Sequence, residues 1–167
     1  MANGTLSHAD EVDDVRLESV VHAGCAAVPQ ALAVEEREKA DGKAFINAAV
    51  LGYDIACRVG IALNPILLQK NNHSLVTIPL SFGSVAASSS ILGLNEDQVF
   101  SALGLTAQQA SGIYASFNEP RHMAKAFESV AGGRNGVTAA LLAQLGFQGP
   151  PDIFEGSHNI SDASQIT

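Results

Sequence analysis

Apolar and small residues recur at helical intervals along most of the chain, and polar or Gly/Pro breakers separate the runs. Residues 3 to 15, which mix small and acidic positions, predict a first helix. Residues 24 to 39 predict a second, with Pro29 near its first turn, where a missing N–H costs little. The clearest pattern runs from Lys43 to Leu63. Ala48, Gly52, Ala56 and Gly60 recur every four residues, so they share one face and let a neighbouring helix come close. Asn64-Pro65 breaks that run, and residues 64 to 78 are expected to be irregular. Pro79 to Leu92 predicts a fourth helix closed by Gly93, with a small face at Gly83, Ala86, Ala87 and Ser90. Asn95, with Gln98 three residues on, is a capping box for a fifth helix reaching about Gly112. A loop is expected over 116 to 122. A sixth helix starts near Met123 and ends at Leu145-Gly146, with Gly132-Gly133 weakening its first half. Gly149-Pro150-Pro151 ends the regular part. One helical domain over 1–156 and a mobile tail over 157–167 are the expectation.

Composition agrees with a helical reading. The chain has 167 residues, which suits one domain. It holds 26 Ala and 15 Gly against 5% aromatics, with no Trp. A β-sandwich would lean on β-branched and aromatic residues. An all-α fold follows: a compact bundle of about six helices with Ala/Gly-rich, close-packed faces. A net charge of −8 argues against phosphate-backbone binding, so no nucleic acid is expected, and no anionic membrane surface either. The longest apolar stretch, Ala44 to Leu63, contains Asp54 and Arg58, so no membrane span is expected. The first residues lack the pattern of a secretory signal. Cys25 and Cys57 form no CxxC pair, zinc spacing or disulfide framework, and both are expected in the core. A reducing, cytoplasmic setting is the expectation.

Several short motifs then stand out in order. Asn3-Gly4-Thr5 with His8, followed by Glu11-Val12-Asp13-Asp14, resembles the "NGT-x-x-H…D-x-DD" opening of the MmgE/PrpD family. His22-Ala23-Gly24 with Pro29 resembles the "H-P/A-G…P" that comes next. Leu92-Gly93-Leu94, Met123-Ala124-Lys125, Arg134-Asn135-Gly136-Val137 and Gly146-Phe147-x-Gly149-Pro150 are similar to the family's "LGL", "TK", "AR-x-GV" and "GF-x-GP" segments. Each motif is loose, and together they span Asn3 to about Gly156.

The resemblance implies a helical domain followed by an α+β lid domain. It implies proton-transfer chemistry on di- and tricarboxylates: dehydration, decarboxylation or epimerisation, by a lyase, isomerase or cyclase. It implies no metal and no organic cofactor. Carried over residue by residue, it makes Glu11, His22, His73 and Lys125 the candidate catalytic residues. Glu11 stands where the family usually has Asp, and His73 matches with a one-residue slip. Asp14, Arg121 and His122 are the candidate substrate-binding residues. Such chemistry needs cations to hold carboxylates and an acid/base that titrates near neutral pH. His8 is expected to be a satisfied buried histidine.

Departures from the pattern bear on substrate. Val15 replaces a Thr, Ser74 replaces the Pro after the family's second His, and Glu128 replaces a His. Glu128 would repel a polycarboxylate if it faced the site. The length matches only part of the family's helical domain. A homo-oligomer or a partner chain is therefore expected to supply the remaining pocket walls around a small-molecule substrate. The alternative is a non-catalytic binding or scaffold subunit that pairs with a full-length relative or a lid-like chain.

Overall fold

The computed structural model describes residues 1–121 and 123–164. Among them there is no strand, and the chain is all-α. Its helices are α1 (Ala2–Ala9), α2 (Gly24–Glu38), α3 (Gly42–Ala62), α4 (Pro65–Lys70), α5 (Thr77–Leu92), α6 (Glu96–Gln109), α7 (Met123–Gln144) and α8 (Ile160–Ser164). A short 3-10 turn covers Tyr114–Asn118.

Helix α5 is the axis of the fold. It is buried on nearly every side, including Leu80, Phe82 and Val85, and it touches α2, α3, α6 and α7. A helix that is apolar or small all round belongs inside a bundle. Ser81 and Ser84 stay buried by bonding backbone: Ser81 Oγ donates to the Thr77 carbonyl at 2.8 Å, and Ser84 Oγ to that of Gly133 at 2.7 Å.

Small residues set how closely the helices approach. A Cβ at Gly83 would run into the Gly52 carbonyl and Ala56, so α3 and α5 cross almost backbone to backbone. Gly132 and Gly136 do the same for α7, against Thr77, Ser81 and Val85 of α5. The Gly132-Gly133 pair therefore does not interrupt α7, which runs unbroken for 22 residues. Packing outweighs the loss of roughly 1 kcal/mol of helix propensity per Gly.

Other expectations need correction. The first helix stops at Ala9, not at residue 15. Continuing it would stack Asp10, Glu11, Asp13 and Asp14 on the negative end of the helix dipole. Instead the chain turns, with Glu11 and Val20 at positive φ and a bridge between Arg16 and Val21. The stretch 64 to 78 is not wholly irregular. Asn64 caps α4 through a bond from the Leu67 N–H, Pro65 occupies its first position, and α5 begins at Thr77, two residues before Pro79. Helix α6 carries the expected capping box but ends at Gln109 rather than Gly112, which sits at φ +135°. The expected tail contains α8, whose Ile160 N–H bonds the Ile153 carbonyl at 2.8 Å; residues 165–167 lie outside the described residues.

Among the described residues, α3 alone is long and apolar enough to cross a membrane by length and composition. Its small face packs on α2 and α5, and it exposes an Asp54–Arg58 pair at 2.7 Å.

Candidate active site

The loop between α1 and α2, residues 10 to 23, lies against the start of α7 and carries most of the candidate chemistry. Lys125, in the first turn of α7, reaches across and its Nζ lies 2.8 Å from Glu11 Oε2. It also lies 5.9 Å above the Phe117 ring, which stacks on Tyr114 with centroids 4.4 Å apart. The Lys125 side chain is 12% exposed and that of Glu11 39%, so the pair forms a rim. The Glu119 carboxylate fixes the approach to that rim. It accepts the backbone N–H groups of Arg121 and Met123, each at 2.8 Å, at the start of α7.

Behind the rim lies His22, 20% exposed, with Nδ1 3.7 Å from Asp13 Oδ2. Asp13 in turn holds His8, whose Nδ1 is 2.9 and 3.0 Å from the two carboxylate oxygens. The two imidazoles stand 4.8 Å apart, tilted by 56°. His8 sits in the last turn of α1 and is buried. The expectation of a satisfied histidine holds at Nδ1 only, because Nε2 is buried with no hydrogen-bond partner.

The electrostatics favour a neutral His22. Burial lowers its pKa below the usual histidine value, His8 and Lys125 lower it further, and Asp13 opposes them. Cys25 lies beneath. Burial pushes its thiol up to about 12, and Sγ donates to the His22 carbonyl at 2.9 Å. His8, Asp13 and Cys25 bring atoms of the kinds that bind metals within 4.8 Å of one another. Asp13 is engaged with His8, and the Cys25 thiol donates to the His22 carbonyl.

The remaining candidates are placed differently. Asp14 turns to the start of α2. Its Oδ2 accepts the Gly24 N–H at 3.4 Å, and its bond with Tyr53, together with burial, pushes that phenol up to about 12. His73 lines a separate cavity of about 530 Å³ with Ser111, Asp152, His158 and Asn159. None of the residues around that cavity belongs to the His22 cluster. Arg121 is exposed on the turn before α7, and His122 lies outside the described residues. Glu128, buried in α7, accepts a 2.7 Å bond from Ser116 Oγ. Of the predicted catalytic residues, the structure brings Glu11, His22 and Lys125 together. Sequence reasoning passed over Asp13 and Cys25 as site residues and took His8 for packing. The five-residue spacing of His8 and Asp13 across a turn was the available signal.

The MmgE/PrpD N-terminal domain model matches residues 1–165. The chain belongs to the MmgE/PrpD family. Within that family, it is 33% identical over 167 residues to the cis-aconitate decarboxylase-like protein oryM of Aspergillus oryzae. That match covers 93% of this chain and 33% of the relative. It is 27% identical over 163 residues to a cis-aconitate decarboxylase of Aspergillus terreus, covering 95% of this chain and 33% of that protein. This MmgE/PrpD chain thus spans about a third of the length of the curated relatives it matches.

Proposed function

We propose that this chain carries an acid/base and carboxylate-binding site of MmgE/PrpD type, acting without a cofactor on a small carboxylate. The observation that carries the reading is the convergence of Lys125, from α7, on His22 and Glu11, from the loop before α2. The ammonium supplies a charge-assisted contact for a substrate carboxylate. His22, neutral and partly exposed, takes a proton from the carbon next to that carboxylate and returns it after rearrangement. Glu11 occupies the ammonium now and competes with an incoming carboxylate for it. The decarboxylase names of the relatives support a tricarboxylate as first candidate substrate. A homo-oligomer or a partner chain completes the pocket walls in this reading.

Incubation of cis-aconitate with the chain in deuterated water, followed by proton NMR, tests it. Deuterium incorporation or CO2 loss is expected in wild type. His22→Gln is expected to slow it about 10²–10⁴-fold, the usual contribution of a positioned acid/base. Equal rates in wild type and variant would remove His22 from the chemistry.

A second reading, a non-catalytic subunit, is favoured by the exposed apolar residues Ile46, Val50 and Leu17. It predicts a stable complex with a full-length relative and no turnover by this chain alone.

A further inference from the structure

His8 takes no part in the chemistry proposed above, yet its side chain is fully buried beside a carboxylate. Buried imidazoles are kept where they make hydrogen bonds. Facing a carboxylate, Nδ1 of His8 can only donate, and it lies within 3.0 Å of both Asp13 oxygens. Asp13 is thereby prevented from rotating. Its Oδ2 is presented to a second imidazole nitrogen, His22 Nδ1, at 3.7 Å.

His22 Nδ1 is buried and has no hydrogen-bond partner. Of the groups around it, the Asp13 carboxylate and the Asp14 backbone carbonyl supply acceptors for a ring proton, and Asp13 Oδ2 is the one placed 3.7 Å from Nδ1. His8 stands 4.8 Å away ring to ring, and the Cys25 thiol donates to the His22 carbonyl rather than to its ring. Lys125 adds positive charge on the rim side. A carboxylate fixed at one nitrogen places the proton on that nitrogen and leaves the lone pair on the other. The 3.7 Å gap would close to the ordinary range of about 2.7–3.2 Å when the site tightens around a ligand.

We propose that His8 is a positioning residue: by clamping Asp13 it holds His22 with its proton on Nδ1 and its lone pair on Nε2. This deepens the reading of His22 as the proton-transfer group and rests on it. Nε2 becomes the atom that takes the substrate proton, and Asp13 stabilises the imidazolium that results.

Long-range proton–nitrogen NMR of the imidazoles tests the clamp without any turnover. The His22 signals are assigned by their loss in His22→Gln. Wild type is expected to show Nδ1 as the protonated nitrogen of His22 and Nε2 as the bare one, above pH 7. His8→Leu is expected to lose that preference. His8→Asn, whose amide can donate from near the Nδ1 position, is expected to keep it. Should His8→Leu fail to fold, Asp13→Asn answers the same question and is expected to lose the preference. A wild-type His22 that carries its proton on Nε2, or as an even mixture, would overturn the proposal. So would an unchanged tautomer in folded His8→Leu or in Asp13→Asn. A chain with the expected tautomer but no deuterium incorporation would keep the clamp and remove the proton-transfer reading.

Discussion

His22 sits where burial, the His8 ring and the Lys125 ammonium outweigh one carboxylate, and the balance falls on the neutral side. The direction has a consequence for stability. An unfolded histidine titrates near pH 6.5, and the folded value lies lower. Between those two values the unfolded chain holds the extra proton, so stability is complete above about pH 6.5 and falls as pH drops through that window. The urea midpoint should therefore fall between pH 7.5 and pH 5, and His22→Gln should flatten part of that fall; an identical fall in the variant would assign it to other groups. At this scale the sequence was readable where a motif fixes both residue and neighbourhood, as at Glu11, His22 and Lys125. It was less so at His73, whose one-residue slip hid its place in a separate cavity. Glu128 was read as a potential anion in the site. It turns inward instead, because a hydroxyl from the 3-10 turn, Ser116, is there to meet it. Such a partner, 12 residues away and set by a loop, leaves no periodic trace.

Between elements, a backbone-to-backbone approach is made at the α3–α5 crossing of Gly52 and Gly83. Neither position has room for a side chain without moving backbone. Gly83→Leu is expected to destabilise the fold by about 1–3 kcal/mol or more, measured by urea unfolding. Gly42→Ala, where an added Cβ meets nothing within 4 Å, should shift stability by less than about 1 kcal/mol. Comparable effects from the two would show that the small face does not set the crossing. The four-residue spacing of small residues in α3 made this contact legible, and so did the Asn95–Gln98 capping box of α6. The end of α1 and the existence of α4 were not. Residues 10 to 15 are poor helix formers at a helix C-terminus, and Asp13 and Asp14 are drawn off to His8 and Gly24. The Asp14 bond depends on the start of α2 docking against the loop, which no local pattern states.

On the scale of the whole molecule, the chain carries 17 acidic residues against 9 basic ones, and a carboxylate ligand must find local positive charge within that field. Helix α7 supplies it by delivering Lys125 to a loop that begins more than a hundred residues earlier. The family and the all-α architecture were legible from ordered motifs and an Ala/Gly-rich composition. The separation of His73 from His22 was not, because no local pattern encodes how the loop before α5 docks. Calorimetric titration with cis-aconitate tests the central claim, that Lys125 anchors a substrate carboxylate beside His22. Wild type should bind with one-to-one stoichiometry. Lys125→Ala should bind roughly tenfold more weakly or worse, as expected for losing a charge-assisted bond of about 1.5–3 kcal/mol, and Lys43→Ala, on the exposed start of α3, should bind as wild type does. Equal affinity in wild type and Lys125→Ala, or no binding by wild type, would contradict it.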